Sequence, residues 1–308
     1  MTDALRTALI AIDWGTTSAR AYRLDPRGAV LDSRDAPLGI QAVADRQWAG
    51  ALDTLLGDWR DIAVPRIACG MIGSRQGWVE APYVPCPFDL AGLGGALTRT
   101  PGGELAIVPG ARCVDAGGIP DVMRGEETQI AGALATSEGA MLAVLPGTHS
   151  KWAIVERGQL SAFATFMTGE LYAVLLAHSI LGRMAERAAS AAFAGPAFAR
   201  GVARGLGAGG FSRVIFGART LALMGELAPH EVPDWLSGAL IGQEIRAARA
   251  FAHERGVDAF EVTVIGADAI VARYASALAQ AGVVARAGPA DAAARGLFQM
   301  ARRAGIAH

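Results

Sequence analysis

The sequence predicts an α/β chain of two related lobes, each a mixed sheet flanked by helices, on three observations. A short pattern occurs twice: residues 10–22 carry Asp13-Trp-Gly15-Thr16-Thr17-Ser18, and residues 143–155 carry Pro146-Gly147-Thr148-His149-Ser150. Each copy is an apolar strand, a tight Gly-Thr-x-Ser turn and a second strand, and each runs into a strand meander with helical segments following. The length of 308 residues accommodates about two domains.

The elements follow from local patterning. Residues 8–12 are an unbroken apolar run, as in a strand buried on both faces. Residues 19–24 alternate, Asp25-Pro-Arg-Gly28 reads as a turn, and 29–33 complete the meander. Trp48, Leu52, Leu55, Leu56 and Trp59 recur at helical spacing over 47–60. A strand is expected at 66–71, then an extended Pro-rich loop over 80–93, a strand at 105–109 and a Gly-rich stretch to Pro120. Residues 121–137 begin as a loop and become a helix, and 140–145 form the strand before the second turn. Strands at 152–155 and 160–166 repeat the meander. Helices are expected at 169–187, 191–204, 213–227 and 234–255, a strand at 260–265, a short strand at 283–286 and a helix at 291–303. The expected lobes are 1–122 and 123–308, with the terminal helix packing back on the first.

Composition narrows the function. Hydrophobic residues make up 52% and charged residues 19%, which argues against disorder. The net charge of −1 gives no basic footprint for nucleic acid. No apolar run is long enough to span a bilayer, and the N-terminus lacks a signal-peptide layout. Cys69, Cys86 and Cys113 are odd in number and lack zinc spacing, so they read as buried free thiols of a reducing cytoplasm. Of the 28 Lys and Arg residues one is lysine, Lys151, beside the second turn. A lysine kept amid arginines suits a compact point charge, although chance gives the same pattern.

The two turns suit phosphate, because backbone N–H groups and hydroxyls converge there and glycine allows close approach. Asp13 at the end of the first strand can hold Mg²⁺, whereas its counterpart in the second copy is Leu145. An Asp that only caps the turn would look similar, but the six-residue context favours phosphate. His149 and Lys151 project from the second turn and would bind phosphate or an acidic substrate, or simply be solvated. Arg124-Gly-Glu126-Glu127-Thr128-Gln129 opens a helix. Acidic residues there complement the helix dipole, and one of them can serve as a general base, with Glu127 ranked above Glu126. Ser74 and Arg75, at a strand end, would hold a substrate carboxylate or form an ordinary surface turn. Gly266, between a strand and a helix, would let an adenine or ribose lie on the backbone, although an ordinary strand-to-helix turn looks the same. Gly205-Leu-Gly-Ala-Gly-Gly210 satisfies a dinucleotide pattern but follows a helical stretch, so it reads as a helix end and loop.

Asp13-Trp-Gly-Thr-Thr-Ser18, Pro146-Gly-Thr-His-Ser150 and residues 262–267 are similar to the phosphate and adenosine motifs of the actin/hexokinase/Hsp70 superfamily. Within it, Cys69-Gly-Met-Ile-Gly-Ser-Arg75, Pro82-Tyr-Val-Pro-Cys-Pro87, Met123-Arg-Gly-Glu-Glu-Thr-Gln129, Leu145-Pro-Gly-Thr-His-Ser-Lys-Trp152 and Phe166-Met-Thr-Gly-Glu-Leu-Tyr172 resemble the 2-dehydro-3-deoxygalactonokinase family. The resemblance implies two ribonuclease H-like lobes of the actin-like ATPase type, with ATP and Mg²⁺ in the cleft between them. It implies phosphoryl transfer to the 6-hydroxyl of 2-dehydro-3-deoxy-D-galactonate, in galactonate breakdown. Glu127, or Glu126 in the adjacent register, would be the base, where a glutamate replaces the aspartate more usual in related sugar kinases. Asp13 would organise the metal. Gly15, Thr16, Thr17, Ser18, Gly147, Thr148, Ser150 and Gly266 would hold the nucleotide. Ser74, Arg75, His149 and Lys151 would hold the acid.

The nearest rival is a kinase of the same fold for the gluconate-derived epimer or another sugar. A nucleotide-binding switch ATPase would need no small acceptor, and a sugar-sensing regulator would need a helix-turn-helix region for which residues before 8 leave no room. A cytoplasmic enzyme without nucleic-acid or membrane partners is expected, and assembly as a homodimer stays open.

Overall fold

The computed structural model describes residues 7–134, 141–185, 193, 195–258 and 261–307. In chain order these form β1 (Leu9–Trp14), β2 (Ala19–Leu24), β3 (Val30–Ala36), α1 (Trp48–Leu56), β4 (Arg66–Cys69), β5 (Tyr83–Pro85), β6 (Phe88–Asp89), β7 (Thr98–Arg99), β8 (Ala106–Ile107), β9 (Gly110–Val114), β10 (Pro120–Met123) and α2 (Glu126–Leu134). There follow β11 (Met141–Leu145), β12 (Ser150–Glu156), β13 (Gln159–Phe166), α3 (Thr168–His178), α4 (Gly195–Leu206), α5 (Phe211–Leu223) and α6 (Val232–His253). The chain closes with β14 (Glu261–Val264), α7 (Asp268–Gln280), β15 (Val284–Ala287) and α8 (Ala292–Arg303). Phe260 and residues 135–137, 186–187, 191–192 and 194, at the edges of expected elements, lie outside the described residues.

Two compact units emerge: residues 1–141, 154–163 and 289–308, and residues 142–153 and 164–288. They interleave along the chain, and the terminal helix falls in the unit that holds β1.

In the first unit a mixed sheet has the order β3-β2-β1-β4-β8-β7. The meander β1–β2–β3 is antiparallel, and β4 joins β1 in parallel with Asp13 opposite Cys69. β1 is buried on both faces, as its unbroken apolar run requires. Ile10, Ile12 and Trp14 pack against Trp48, Leu52, Leu55 and Trp59 of α1 and the short helical turn after it. α8 lies against α2 at van der Waals limit: a Cβ on Gly132 would stand 1.9 Å from Ala292 O, and one on Gly296 1.9 Å from Thr128 O. The Gly-rich stretch to Pro120, to which the sequence assigns no element, holds β9 and leads into β10, its antiparallel partner, and β5 pairs in parallel with β9.

In the second unit β15, β14 and β11 are parallel neighbours, with β12 beside β11. α6 is its central helix. Gly201 and Gly205 of α4 face Gly238 and Gly242 of α6 so closely that a Cβ on any of the four would meet backbone within 2.5 Å. Gly205 is thus a packing residue near a helix end, as the sequence reading expects. Cys69, Cys86 and Cys113 form no disulfide among the described residues; Cys69 and Cys113 are buried and Cys86 is half-buried. Among the described residues no helix is long and apolar enough to cross a membrane.

Candidate active site

The first turn is built from the backbone outward. Gly15 N–H donates to Ser18 O at 2.9 Å, and Ile40 and Gln41 donate to the carbonyls of Gly15 and Thr16 at 3.0 and 3.1 Å. Gly39 backs the turn, since a Cβ there would stand 2.3 Å from the Thr16 and Thr17 backbone. Two carbonyls are therefore tied inward, and Thr16, Thr17 and Ser18 remain exposed.

Asp13 stands half-buried at the end of β1. Its Oδ2 accepts from Gln129 Nε2 at 3.3 Å, and Cys69 Sγ lies 3.8 Å from Oδ1. Burial raises the Asp13 pKa, against the pull of Gln129, Arg20 and Cys69. Burial and the neighbouring carboxylates of Asp13 and Glu127 keep the Cys69 thiol protonated. Two glycines permit this convergence. Gly70 (φ +92°) would drive a Cβ to 2.7 Å from Trp14 O, and a Cβ on Gly125 (φ +110°) would sit 3.1 Å from Gly70 Cα. The ends of β1 and β4 and the start of α2 thus meet around Asp13.

The two glutamates differ sharply. Glu127 is fully buried; its oxygens accept from Gly125 N–H at 2.8 and 2.9 Å, and Thr128 Oγ1 donates at 3.0 Å. Burial, reinforced by the Glu126 charge, pushes its pKa up to about 8. Glu126 is half-buried and accepts from Arg124 N–H at 3.0 Å. The expectation that Glu127 points to a substrate therefore meets a side chain folded back into the protein. Nearby, Ser74 is buried with no partner for its Oγ, while the Arg75 side chain is exposed, 3.6 Å from Glu80. The Arg124 guanidinium donates to Ala81 O at 2.8 Å and stacks over Tyr83 at 4.2 Å.

The second turn is shorter than the sequence suggests. Gly147, Thr148 and His149 are exposed, but β12 begins at Ser150, so Ser150 and Lys151 are strand residues and both are buried. Lys151 does not project from the turn. Ser150 Oγ lies 3.0 Å from Tyr274 OH. His149 is engaged by Glu170 at 2.5 Å. The N-terminus of α3 abuts the turn: Glu170 N–H donates to Thr148 O at 3.0 Å, and a Cβ on Gly169 would stand 2.4 Å from Gly147 O. A cavity of about 300 Å³ opens here, lined by Gly147, Thr168, Tyr172, Ser237, Ile270 and Arg273 among others. Gly266 stands at its edge, where a Cβ would be 3.8 Å from Pro146 and 3.4 Å from Ile270. The structure thus brings Gly147 and Gly266 to one cavity, and separately brings Gln129 and Cys69 to Asp13. Gln129, Thr168 and Glu244 were missed by sequence reasoning. Gln129 could have been read from its place in the quoted Glu-Glu-Thr-Gln segment, and Glu244 from an acid amid the apolar positions Leu240, Ile241 and Ile245.

The fold holds two Gly-Thr turns, each between neighbouring strands of a six-stranded sheet. The chain aligns over 96% of its length with the nucleotide-bound activator of 2-hydroxyisocaproyl-CoA dehydratase from Clostridium difficile, covering 95% of that chain at a TM-score of 0.51 and 12% identity. The two chains share a fold. A profile of the 2-keto-3-deoxy-galactonokinase family matches residues 13–300. The chain belongs to this family. It is 36% identical over 269 residues to 2-dehydro-3-deoxygalactonokinase of Escherichia coli K12, covering 87% of this chain and 88% of that one. It is 38% identical over 299 residues to the probable 2-dehydro-3-deoxygalactonokinase DgoK1 of Rhizobium meliloti, covering 96% of each. A crystal structure from Sinorhizobium meliloti, assigned to the same enzyme, superposes with a TM-score of 0.88 at 36% identity, covering 96% and 98% of the two chains.

Proposed function

We propose that this chain transfers the γ-phosphoryl group of ATP to the 6-hydroxyl of 2-dehydro-3-deoxy-D-galactonate, giving the 6-phospho acid and ADP in the cytoplasm. Family membership across residues 13–300, joined to the Asp13–Gln129 pair at the start of α2, is the observation that carries the reading.

Phosphate is assigned to the exposed Gly15–Ser18 and Gly147–Thr148 turns, and adenosine to the cavity edged by Gly266. Mg²⁺ fits Asp13. Asp13 offers one hard carboxylate at the end of β1, and the remaining positions are assigned to phosphate and water. When bound, the ion neutralises charge on the transferring phosphate.

Glu126 is assigned as proton acceptor in preference to Glu127. A general base must lie within hydrogen-bond reach of the hydroxyl it deprotonates. Glu126 keeps exposed surface and is fixed by Arg124 N–H, whereas Glu127 spends both oxygens on Gly125. The proton leaves O6 for Glu126 as O6 bonds to the γ-phosphorus, and the bond to the ADP oxygen breaks. The acid's carboxylate is assigned to the 73–75 turn, where Ser74 Oγ has no protein partner and Arg75 offers an exposed fork.

The test is ADP release with the galactonate- and gluconate-derived 2-dehydro-3-deoxy acids side by side. Turnover with the galacto acid and at least tenfold less with its epimer is expected. Equal turnover withdraws the specificity, and sugar-independent hydrolysis sinks the kinase reading.

A further inference from the structure

We infer that Glu244 is a positioning residue for the nucleotide: a single buried carboxylate that fixes the wall of the cavity and the root of the second turn. The inference rests on the proposed nucleotide site. Glu244 sits on α6 with 3% of its surface exposed. Its Oε1 accepts from Trp152 Nε1 at 2.8 Å, and Tyr274 OH donates to the carboxylate at 2.9–3.0 Å. Thr168, the first residue of α3, also hydrogen-bonds it. Tyr274 OH in turn meets Ser150 Oγ at 3.0 Å.

These partners are not scattered. Thr168 and Tyr274 line the cavity itself. Ser150 and Trp152 begin the strand that leaves the second turn, and Thr168 opens the helix whose next residues press on Gly147 and Thr148. One side chain on α6 therefore ties β12, α3 and α7 at the point where they define the cavity. A neutral leucine would fill that space and leave the Trp152 and Tyr274 donors without an acceptor, a loss that is costly in the interior. Burial raises the Glu244 pKa while its donors hold it down, as expected for a carboxylate kept for its acceptor capacity. Ser150, whose hydroxyl the sequence assigns to phosphate, belongs to this support.

Glu244→Gln tests the assignment. The amide keeps the shape but offers one acceptor oxygen where the carboxylate offers two. The KM for ATP, and the ADP dissociation constant by calorimetry, should rise roughly tenfold or more. The KM for the acid should stay within twofold, because Ser74, Arg75 and Glu126 belong to the other compact unit. Tyr274→Phe should produce a smaller rise, and the double variant should be no worse than Glu244→Gln alone, since both break one network. ATP affinity within twofold of the parent, equal shifts in both KM values, or additive effects overturn the inference and leave Glu244 a general structural group. If Glu244→Gln fails to fold, Tyr274→Phe alone decides between the same outcomes. A parent protein that binds no adenine nucleotide overturns the proposed function as well. Parent binding with unaltered variants overturns only this inference.

Discussion

Replacing Glu127 by Gln should make the stability of the protein less sensitive to pH between about 4.5 and 8. Burial raises the folded-state pKa of Glu127 from the ordinary 4.5 to about 8. Below 4.5 both folded and unfolded chains hold the proton. Between the two values the folded chain keeps it and the unfolded chain releases it, so unfolding liberates a proton and becomes easier as pH rises. Above about 8 the carboxylate is ionised in both states and the loss is complete. The ceiling on that loss is on the order of 5 kcal/mol, about 1.4 kcal/mol per pH unit across the window. Glutamine copies the protonated acid, with an oxygen for Gly125 N–H and a donor beside it, and cannot ionise. The parent and Glu127→Gln should therefore be similar in stability near pH 5, with the variant gaining roughly 3 kcal/mol on the parent between pH 5.5 and 7.5. Urea denaturation of both proteins at pH 5.5, 6.5, 7.5 and 8.5 reads this directly. A difference that stays flat across the series, or a variant that loses ground as pH rises, would refute the reasoning. The second outcome would mean that Glu127 is an ionised group stabilised by Gly125 rather than a buried acid.

Other consequences separate the neighbouring groups. Glu126→Gln should lower kcat by about 10²–10⁴, while Glu127→Gln should cost less than tenfold; the reverse order in steady-state assays would move the base to Glu127. Asp13→Asn should lower kcat/KM by at least about tenfold, following the loss of a charged oxygen ligand, and raise the Mg²⁺ concentration giving half-maximal rate. A Mg²⁺ titration with unchanged midpoint would remove Asp13 from the metal site. Gly296→Ala should destabilise by about 1–3 kcal/mol despite better helix propensity, because its Cβ meets Thr128 O at 1.9 Å. A melting temperature at or above that of the parent would show that α8 shifts freely on α2.

The parts of this fold that could be read from sequence are those set by local rules. β1 was visible because Leu9-Ile-Ala-Ile12 is apolar without alternation, and β2 because its period is two. The Gly205 decoy was rejected on the same footing, from the helix preceding it. The β9–β10 hairpin was not visible. Its exposed face carries Val114, Ile119 and Val122, so no polar-apolar alternation marks it, and β9 is held by a non-local partner, β5. The second turn was located, but its length was not. Ser150 and Lys151 look like turn residues by type, yet pairing along β12 draws both inward. Tertiary pairing overrides residue type in both cases.

The glutamate pair shows why one step of the site could not be settled from residue identity. Glu126 and Glu127 are the same residue type, adjacent, in the first turn of one helix, and the dipole favours either. Successive residues on a helix point about 100° apart, and the two side chains take different surroundings, Glu127 fully buried and Glu126 half-buried. Which one turns inward depends on the packing of α2 against α8. Gly132 and Gly296 let the α2 and α8 backbones meet closely, with Thr128 and Glu127 inside, Glu126 half-buried and Gln129 bonded to Asp13. The proposed choice of Glu126 over Glu127 thus depends on two glycines at the α2–α8 contact. A bulkier residue at either position would rotate or lift α2, and so carry Gln129 away from Asp13 and Glu126 away from its acceptor position together.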